Sequence, residues 1–296
     1  MENIKSVMDD NRILPLLSGE RIRLQPTCGL LFEVGNLEYA SPALISRCGI
    51  VFVDSNDLEF SALWKRWKLN HQDWGTFSIQ ILDTLYKKYI PRLVTLHLKT
   101  VIALSPVNFI NQLCYLLESL MIDVVEASAD SLEALFLHAL VISISSTLLR
   151  DADRAAFDEK VKEISALPAM NQEGPEVNVP AGFLPISLPR LEDFFFDTKK
   201  SLWVPWNSRV LKYQHDPRLD FADIIVPTRE TVMIQWILEK YTMIDMPILL
   251  IGNTGTSKTT SVNQFLMKRD KTTHVWPVNL CLHVIPDINR IYFCLP

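Results

Sequence analysis

The chain has 296 residues, enough for about two domains. Its 48% hydrophobic and 21% charged content, with only 9 glycines, excludes a disordered or fibrous chain. A net charge of −5 and a pI near 5.7 provide no large basic surface, so a nucleic-acid partner is not expected. Five scattered cysteines without a CxxC pair (Cys28, Cys48, Cys114, Cys281 and Cys294) suggest the reduced thiols of a cytosolic protein.

The opening "MENIKSVMDDN" is charged and has no apolar centre, unlike a secretory signal. Residues 21–53 read as strands and turns. "GLLFEV" (29–34) and "GIVFVD" (49–54) have the composition of buried strands, with a short helix between them. From about 57 to 165 the apolar period becomes helical: Leu58, Leu63, Trp64 and Trp67; then Phe109, Leu113, Leu116, Leu117 and Leu120; then Leu132, Leu135, Phe136 and Ala139; then Phe157, Val161 and Ile164. Each set falls on one helix face, which predicts an all-helical subdomain with its own core. Its most apolar stretch, 101–122, is broken by Pro106, Asn108, Asn111, Gln112 and Glu118. A membrane span needs about 20 nearly unbroken apolar residues, so none is expected.

Residues 166–190 carry five prolines and two glycines and read as a linker or exposed loop. "LEDFFFDTKKSLWVPW" (191–206) suits a short hairpin. "DIIVPTRETVMIQWILEKYT" (223–242) reads as an extended piece, a turn at Pro227, and a helix with Thr228 at its N-cap. Thr231 stands where a capping box prefers Glu. No internal repeat is visible at solenoid periods.

"MPILLIGNTGTSKTTSVNQFLMK" (246–268) carries the sharpest signal. An apolar run of strand length is followed by a loop, Gly252, Asn253, Thr254, Gly255, Thr256, Ser257, Lys258, Thr259 and Thr260. A helix follows with Val262, Phe265 and Leu266 on one face. Strand, glycine loop and helix are the context of a phosphate-binding loop, in which backbone N–H groups and the helix N-terminus face the phosphates. Lys258 would bridge the outer phosphates, and the Thr259 hydroxyl would complete a Mg²⁺ shell. The usual pattern is GxxxxGK[ST], and Ser257 replaces its last glycine. Phosphate contact survives if residue 257 avoids positive φ. The alternative is a helix N-terminus that merely begins with Gly, Thr and Ser. Phosphoryl transfer further needs an acidic metal ligand, and after the loop the sequence offers only Asp270 and Asp287. Reading "LCLHVIPD" as an acid-tipped strand is opposed by Pro286.

Residues 3 to about 268 resemble dynein heavy chains, most closely the axonemal ones. "IKSVMDDNRILPLLSGERIRL" looks like a hairpin segment of that family's second AAA+ module. "GLLFEVGNLEYASPALISRCGIVFVD" resembles the strand, sensor loop and arginine-bearing segment that follow it. "WVPWNSRV", "FADIIVPTRETVMIQWILEKY" and "PILLIGNTGTSKTTSVNQFL" resemble the opening of the third module. The resemblance implies partial P-loop AAA+ modules, α/β plus α. Residues 1–56 would close the second module's α/β core, 57–165 form its helical lid, 166–200 a linker and hairpin, 201–270 the start of the third module, and 271–296 a divergent tail.

It further implies roles residue by residue. Glu33 to Asn36 lie in the sensor region. Arg47 looks like the arginine that reaches a neighbouring module's nucleotide, although a surface arginine at a strand end reads the same way. Val226, Pro227 and Thr228 match the segment beside the adenine, and Gly252 through Thr260 match the third module's loop. The expected ligands are ATP or ADP with Mg²⁺. The implied partners are other AAA+ modules of the same chain, microtubules, and dynein intermediate and light chains, with neither nucleic acid nor membrane. The setting would be the cytoplasm and cytoskeleton, in the axoneme of a cilium or flagellum. The second module's own phosphate loop is absent, and "KTTHVWPVNLCLHVIPDINRIYFCLP" does not resemble the family's continuation, so the isolated chain is expected to lack ATPase activity. An independent P-loop NTPase or kinase, or a non-functional truncated product, are the alternatives.

Overall fold

The computed structural model describes residues 7–8, 12–16, 18–25, 27–38, 40–53, 60–122, 124, 128–170, 178–213, 226–253 and 255–268. Contacts divide the chain into two units, 1–57 and 58–296.

In the first unit β1 (Ile13–Pro15) pairs antiparallel with β2 (Arg21–Arg23), with Leu14 opposite Ile22. Gly19, at φ 85°, turns the chain between them, and its N–H donates to the Leu16 carbonyl at 3.0 Å. The expected short helix is α1 (Pro42–Ile45), a single turn with proline in its opening positions. The two apolar runs around it depart from expectation. Residues 29–34 and 49–53 form no strand and are exposed, Leu31 at 98% and Val51 at 86%. β propensity measures fit to a pleated, half-buried surface, and among the described residues no neighbouring strand supplies one.

The second unit is built around helices, as the period predicts. They are α2 (Phe60–Asn70), α3 (Thr76–Leu93), α4 (Pro106–Met121), α5 (Ala129–Ser145) and α6 (Asp151–Ile164). Trp64 and Trp67 of α2 are buried, as are Leu113, Leu116, Leu117 and Leu120 of α4 and Phe157, Val161 and Ile164 of α6. α5 differs from an amphipathic helix, because every residue from Ser131 to Ser145 except the half-buried Glu133 is buried. It packs against α3 and α4, with further contacts to α6 and to the strand described below as β6. A helix that is apolar all round is a core helix. Polar bonds lock its neighbours. The Asp83 carboxylate of α3 accepts from Lys68 at 2.5 Å and from the Trp64 indole at 3.0 Å, and pairs with Lys87 at 2.7 Å. Burial alone would raise this carboxyl, but the bonds from Lys68, Lys87 and Trp64 prevail and hold it down at about 2. Lys88 and the Tyr89 hydroxyl both donate to Glu133 of α5, at 2.7 and 3.0 Å.

The proline-rich stretch is not a free linker over its described part. β3 (Ala169–Met170) pairs parallel with β5 (Leu184–Pro185), and β4 (Val179–Pro180) joins the edge of a three-stranded antiparallel sheet ordered β4-β7-β6. Val179, Ala181 and Leu184 are buried in the helical core. Pro180 and Pro185 each end a two-residue strand, positions that proline tolerates at a sheet margin. The expected hairpin is β6 (Phe194–Asp197) with β7 (Leu202–Pro205), Phe196 opposite Trp203.

α7 (Arg229–Met243) begins at Thr228, whose hydroxyl accepts from the Thr231 N–H while the Thr231 hydroxyl accepts from the Thr228 N–H at 2.8 Å. This is a capping box in which threonine replaces the usual Glu. Trp236 of α7 enters the core, 5.1 Å from the His138 ring and 5.5 Å from Trp206, centroid to centroid. α8 (Lys258–Met267) packs on α7. Among the described residues no helix is long and apolar enough to cross a membrane.

His138 sits in the middle of α5, and its Nε2 has no hydrogen-bond partner among the described residues. Burial, joined by the charges of Arg209 and Lys240, pushes its imidazole down to about 3. The unfolded chain protonates this ring near 6.5. Below that pH the unfolded state binds the extra proton, so stability falls from about pH 6.5 down to about pH 3. Denaturant unfolding of the wild-type chain should lose on the order of 1 kcal/mol per pH unit between pH 6 and 5, and His138→Phe should flatten that slope. An equal slope in both proteins would contradict a buried neutral imidazole.

Candidate phosphate-binding loop

Residues 246–250 alternate between half-buried and exposed, the period of an extended chain, but they pair with no strand among the described residues. The expected strand "MPILLI" is therefore an extended segment without a ladder, because a strand is completed only by hydrogen bonds from a neighbour. Beyond it the loop closes tightly. The Thr256 hydroxyl donates to the Asn253 carbonyl at 2.8 Å. The Lys258 ammonium donates to the carbonyls of Gly252 (2.7 Å) and Asn253 (2.5 Å) and to the Thr256 hydroxyl (3.1 Å). All three of its protons thus lie on the loop.

A Cβ on Gly252 would come within 3.2 Å of the Thr256 hydroxyl and 3.8 Å of the Lys258 ammonium. Glycine here is what lets the loop fold over its lysine. Gly255 at φ 82° and Ser257 at φ 58° flank a Thr256 outside the left-handed region. Alternation of this kind curls successive N–H groups into an anion-binding concavity. α8 starts at Lys258, two residues before the expected end of the loop, and its first ladder bond runs from the Ser261 N–H to the Ser257 carbonyl at 2.9 Å. The first-turn N–H groups of a helix have no acceptor within it and carry the positive end of its dipole. The loop therefore supplies N–H donors and an ammonium, the chemistry that holds a phosphate.

Ser257 does not avoid positive φ: it adopts the left-handed conformation that glycine takes without cost. The curl of the loop's N–H groups depends on that conformation, so the expectation that phosphate contact needs a negative φ here is corrected. The loop geometry is kept and the serine bears the strain, about 1 kcal/mol for an L-residue at such a position.

The remaining predicted residues scatter. Thr259 is half-buried and Thr260 exposed in the first turn of α8, and Thr254 lies outside the described residues. Val226 is exposed, Pro227 half-buried, and Thr228 caps α7. Glu33 to Asn36 are exposed in the first unit, where the Asn36 side chain accepts from the Glu38 N–H at 3.4 Å. Arg47, in the same unit just after α1, donates to the Ala43 carbonyl at 3.4 Å. Asp270 and Asp287 lie outside the described residues, and the described residues contain no cluster of acidic, His or Cys side chains able to hold a metal. Sequence reasoning missed the polar contact between α7 and α8, where the Gln235 amide meets Gln264.

Two family models match the chain. The Dynein heavy chain AAA lid domain covers residues 82–208, and the P-loop containing dynein motor region covers 213–285. Dynein axonemal heavy chain 10 of Homo sapiens is 41% identical over 287 residues. The chain belongs to the dynein heavy chain family. Its α/β and helical parts form a AAA+ fragment of the dynein motor segment. Dynein-1-alpha heavy chain of the flagellar inner arm I1 complex, from Chlamydomonas reinhardtii, is 35% identical over 291 residues, and Dynein axonemal heavy chain 8 of Mus musculus is 30% identical over 276. These alignments take in 93%, 93% and 91% of the dynein chain described here, which spans about 6% of the length of each relative.

Ser257→Gly should bind ADP at least as tightly as wild type, because the left-handed position then costs nothing. Ser257→Val should bind it several-fold more weakly, because a β-branched residue there is a steric outlier. Calorimetric titration of both variants checks this, and tighter binding by the valine variant would exclude the left-handed geometry.

Proposed function

We propose that this chain forms the end of the second AAA+ module of a dynein motor ring, that module's helical lid, and the nucleotide-binding start of the third. The divisions are 1–56, 57–165, 166–200, 201–270 and a tail at 271–296. The carrying observation is the Lys258 ammonium, held by Gly252, Asn253 and Thr256 at the mouth of a curled loop that leads into a helix N-terminus. Those acceptors are neutral, so an incoming phosphate would exchange them for charged oxygens, which bond about twice as strongly.

In this reading Gly252 through Thr260 bind the phosphates of ATP or ADP, the Thr259 hydroxyl contributes to a Mg²⁺ shell, and Val226 to Thr228 lie beside the base. Mg²⁺ when bound would neutralise phosphate charge. Among the described residues the Thr259 hydroxyl is the protein ligand this reading assigns to it. Arg47 acts on the nucleotide of a neighbouring module. In the full-length heavy chain the segment takes part in ATP-dependent movement along microtubules, with dynein intermediate and light chains as further partners. The names of the relatives support an axonemal setting in a cilium or flagellum.

Lys258→Ala should weaken ADP binding by the 296-residue chain about 10- to 100-fold, the effect of losing a bond to a charged group worth about 1.5–3 kcal/mol. Unchanged affinity would sink the phosphate-cradle reading. The isolated chain should not turn over ATP above background, because it offers no assigned acidic metal ligand or water-orienting group. Robust hydrolysis that disappears in Lys258→Ala would instead make it a self-contained P-loop enzyme.

A further inference from the structure

α8 carries the lysine and the first-turn N–H groups of the loop, so its placement fixes where they point. Its inward face is marked by Ser261, 2% exposed. Gln264 and Lys268 follow at spacings of three and four residues, which keeps them on that face. Both reach the same group. The Gln235 amide of α7 donates to the Gln264 side-chain oxygen, and its own oxygen accepts from the Lys268 ammonium at 2.8 Å. The next residue of α7, Trp236, is buried among His138 of α5 and Trp206. Gln235 therefore stands on a helix anchored in the core of the second unit and holds the outer helix at two points one turn apart. Lys258 lies six residues before Gln264, about 9 Å along the helix at 1.5 Å per residue. A tilt of α8 at this contact would swing its N-terminus relative to the rest of the loop.

We infer that Gln235 is a positioning residue for phosphate binding: through Gln264 and Lys268 it sets the direction of α8 and so the aim of Lys258 and the first-turn N–H groups. The inference rests on the phosphate-binding reading of the loop. Gln235 itself does not touch the ligand, and its effect is on affinity through helix placement.

Substitutions can separate placement from bulk. Gln235→Met keeps length and helix propensity and removes both bonds. Gln235→Glu keeps an acceptor for Lys268, and the Gln264 amide can turn over to donate its NH₂ to the new carboxylate. ADP with Mg²⁺ is titrated into the full 296-residue chain, with a thermal melt of each variant. Gln235→Met should bind about tenfold more weakly, the loss expected when the Lys258 ammonium and the first-turn N–H groups are no longer held in place and about one charged bond to the phosphate is forfeited. Gln235→Glu should return to within about threefold of wild type. Gln264→Met, which removes one bond from the other side, should fall between them and decides the matter if Gln235→Met fails to fold. Wild-type affinity in Gln235→Met, or equal losses in the Met and Glu variants, would overturn the positioning role. If Lys258→Ala loses binding while Gln235→Met does not, only this inference fails. If the wild-type chain binds no ADP, the phosphate reading fails and takes this inference with it.

Discussion

The second unit depends on covering one helix. α5 is buried from Ser131 to Ser145 apart from Glu133, whose carboxylate is half-buried and accepts from Lys88 and Tyr89. Each fully buried leucine, isoleucine or phenylalanine contributes about 1.5–3 kcal/mol, so leaving any face of this helix open would be costly. α3 and α4 cover two sides, and α6 and the hairpin β6–β7 add to the cover. The aromatic strand residues Phe194, Phe196 and Trp203 owe their burial to the same demand. Even the proline-rich segment is drawn in, through Val179 and Leu184.

The loop from Gly252 to Lys258 is governed by its backbone rather than by burial. Its geometry is kept where its chemistry departs from the common pattern. Ser257 takes the left-handed backbone of a glycine, while Gly252 provides the room in which Lys258 lies over its own carbonyls. Strain at a ligand-binding turn persists only where its surroundings over-determine the backbone. Here those surroundings are the Thr256 bond to Asn253, the ammonium bonds and the start of α8.

Periodicity made much of this legible in the sequence, and its failures have physical causes. The spacing of Trp64 with Trp67, and of Phe157 with Val161 and Ile164, identified buried faces because those helices do have a wet side. For α5 the same rule selected Leu132, Leu135, Phe136 and Ala139 and passed over Leu137, Leu140 and Ile142, which are equally buried; the density of apolar residues, interrupted only by Glu133 and His138 between Leu132 and Ile142, was the better clue. "GLLFEV" and "GIVFVD" had strand composition, but a strand is a property of a pair. Prolines suggested a linker because their lost N–H is visible in sequence, while their position at the end of Val179–Pro180 and Leu184–Pro185 is not. The turn from Gly252 into α8 could be anticipated, because its residues are contiguous in sequence. The left-handed backbone of Ser257 and the Gln235 contact with α8 could not, since one is a torsion and the other joins residues 29 apart.

Trp236 has a consequence for where this chain can be divided. The lid match ends at residue 208 and the motor-region match begins at 213, yet the ring of Trp236 stacks edge-on to Trp206 and lies beside His138. The boundary in sequence is thus not a boundary in the core. A lid cut after residue 208 would open an aromatic cleft on its own surface, and the excised partner would carry an uncovered indole. The two matched parts share one hydrophobic interior, so the first helix of the motor-region match belongs mechanically to the lid match before it.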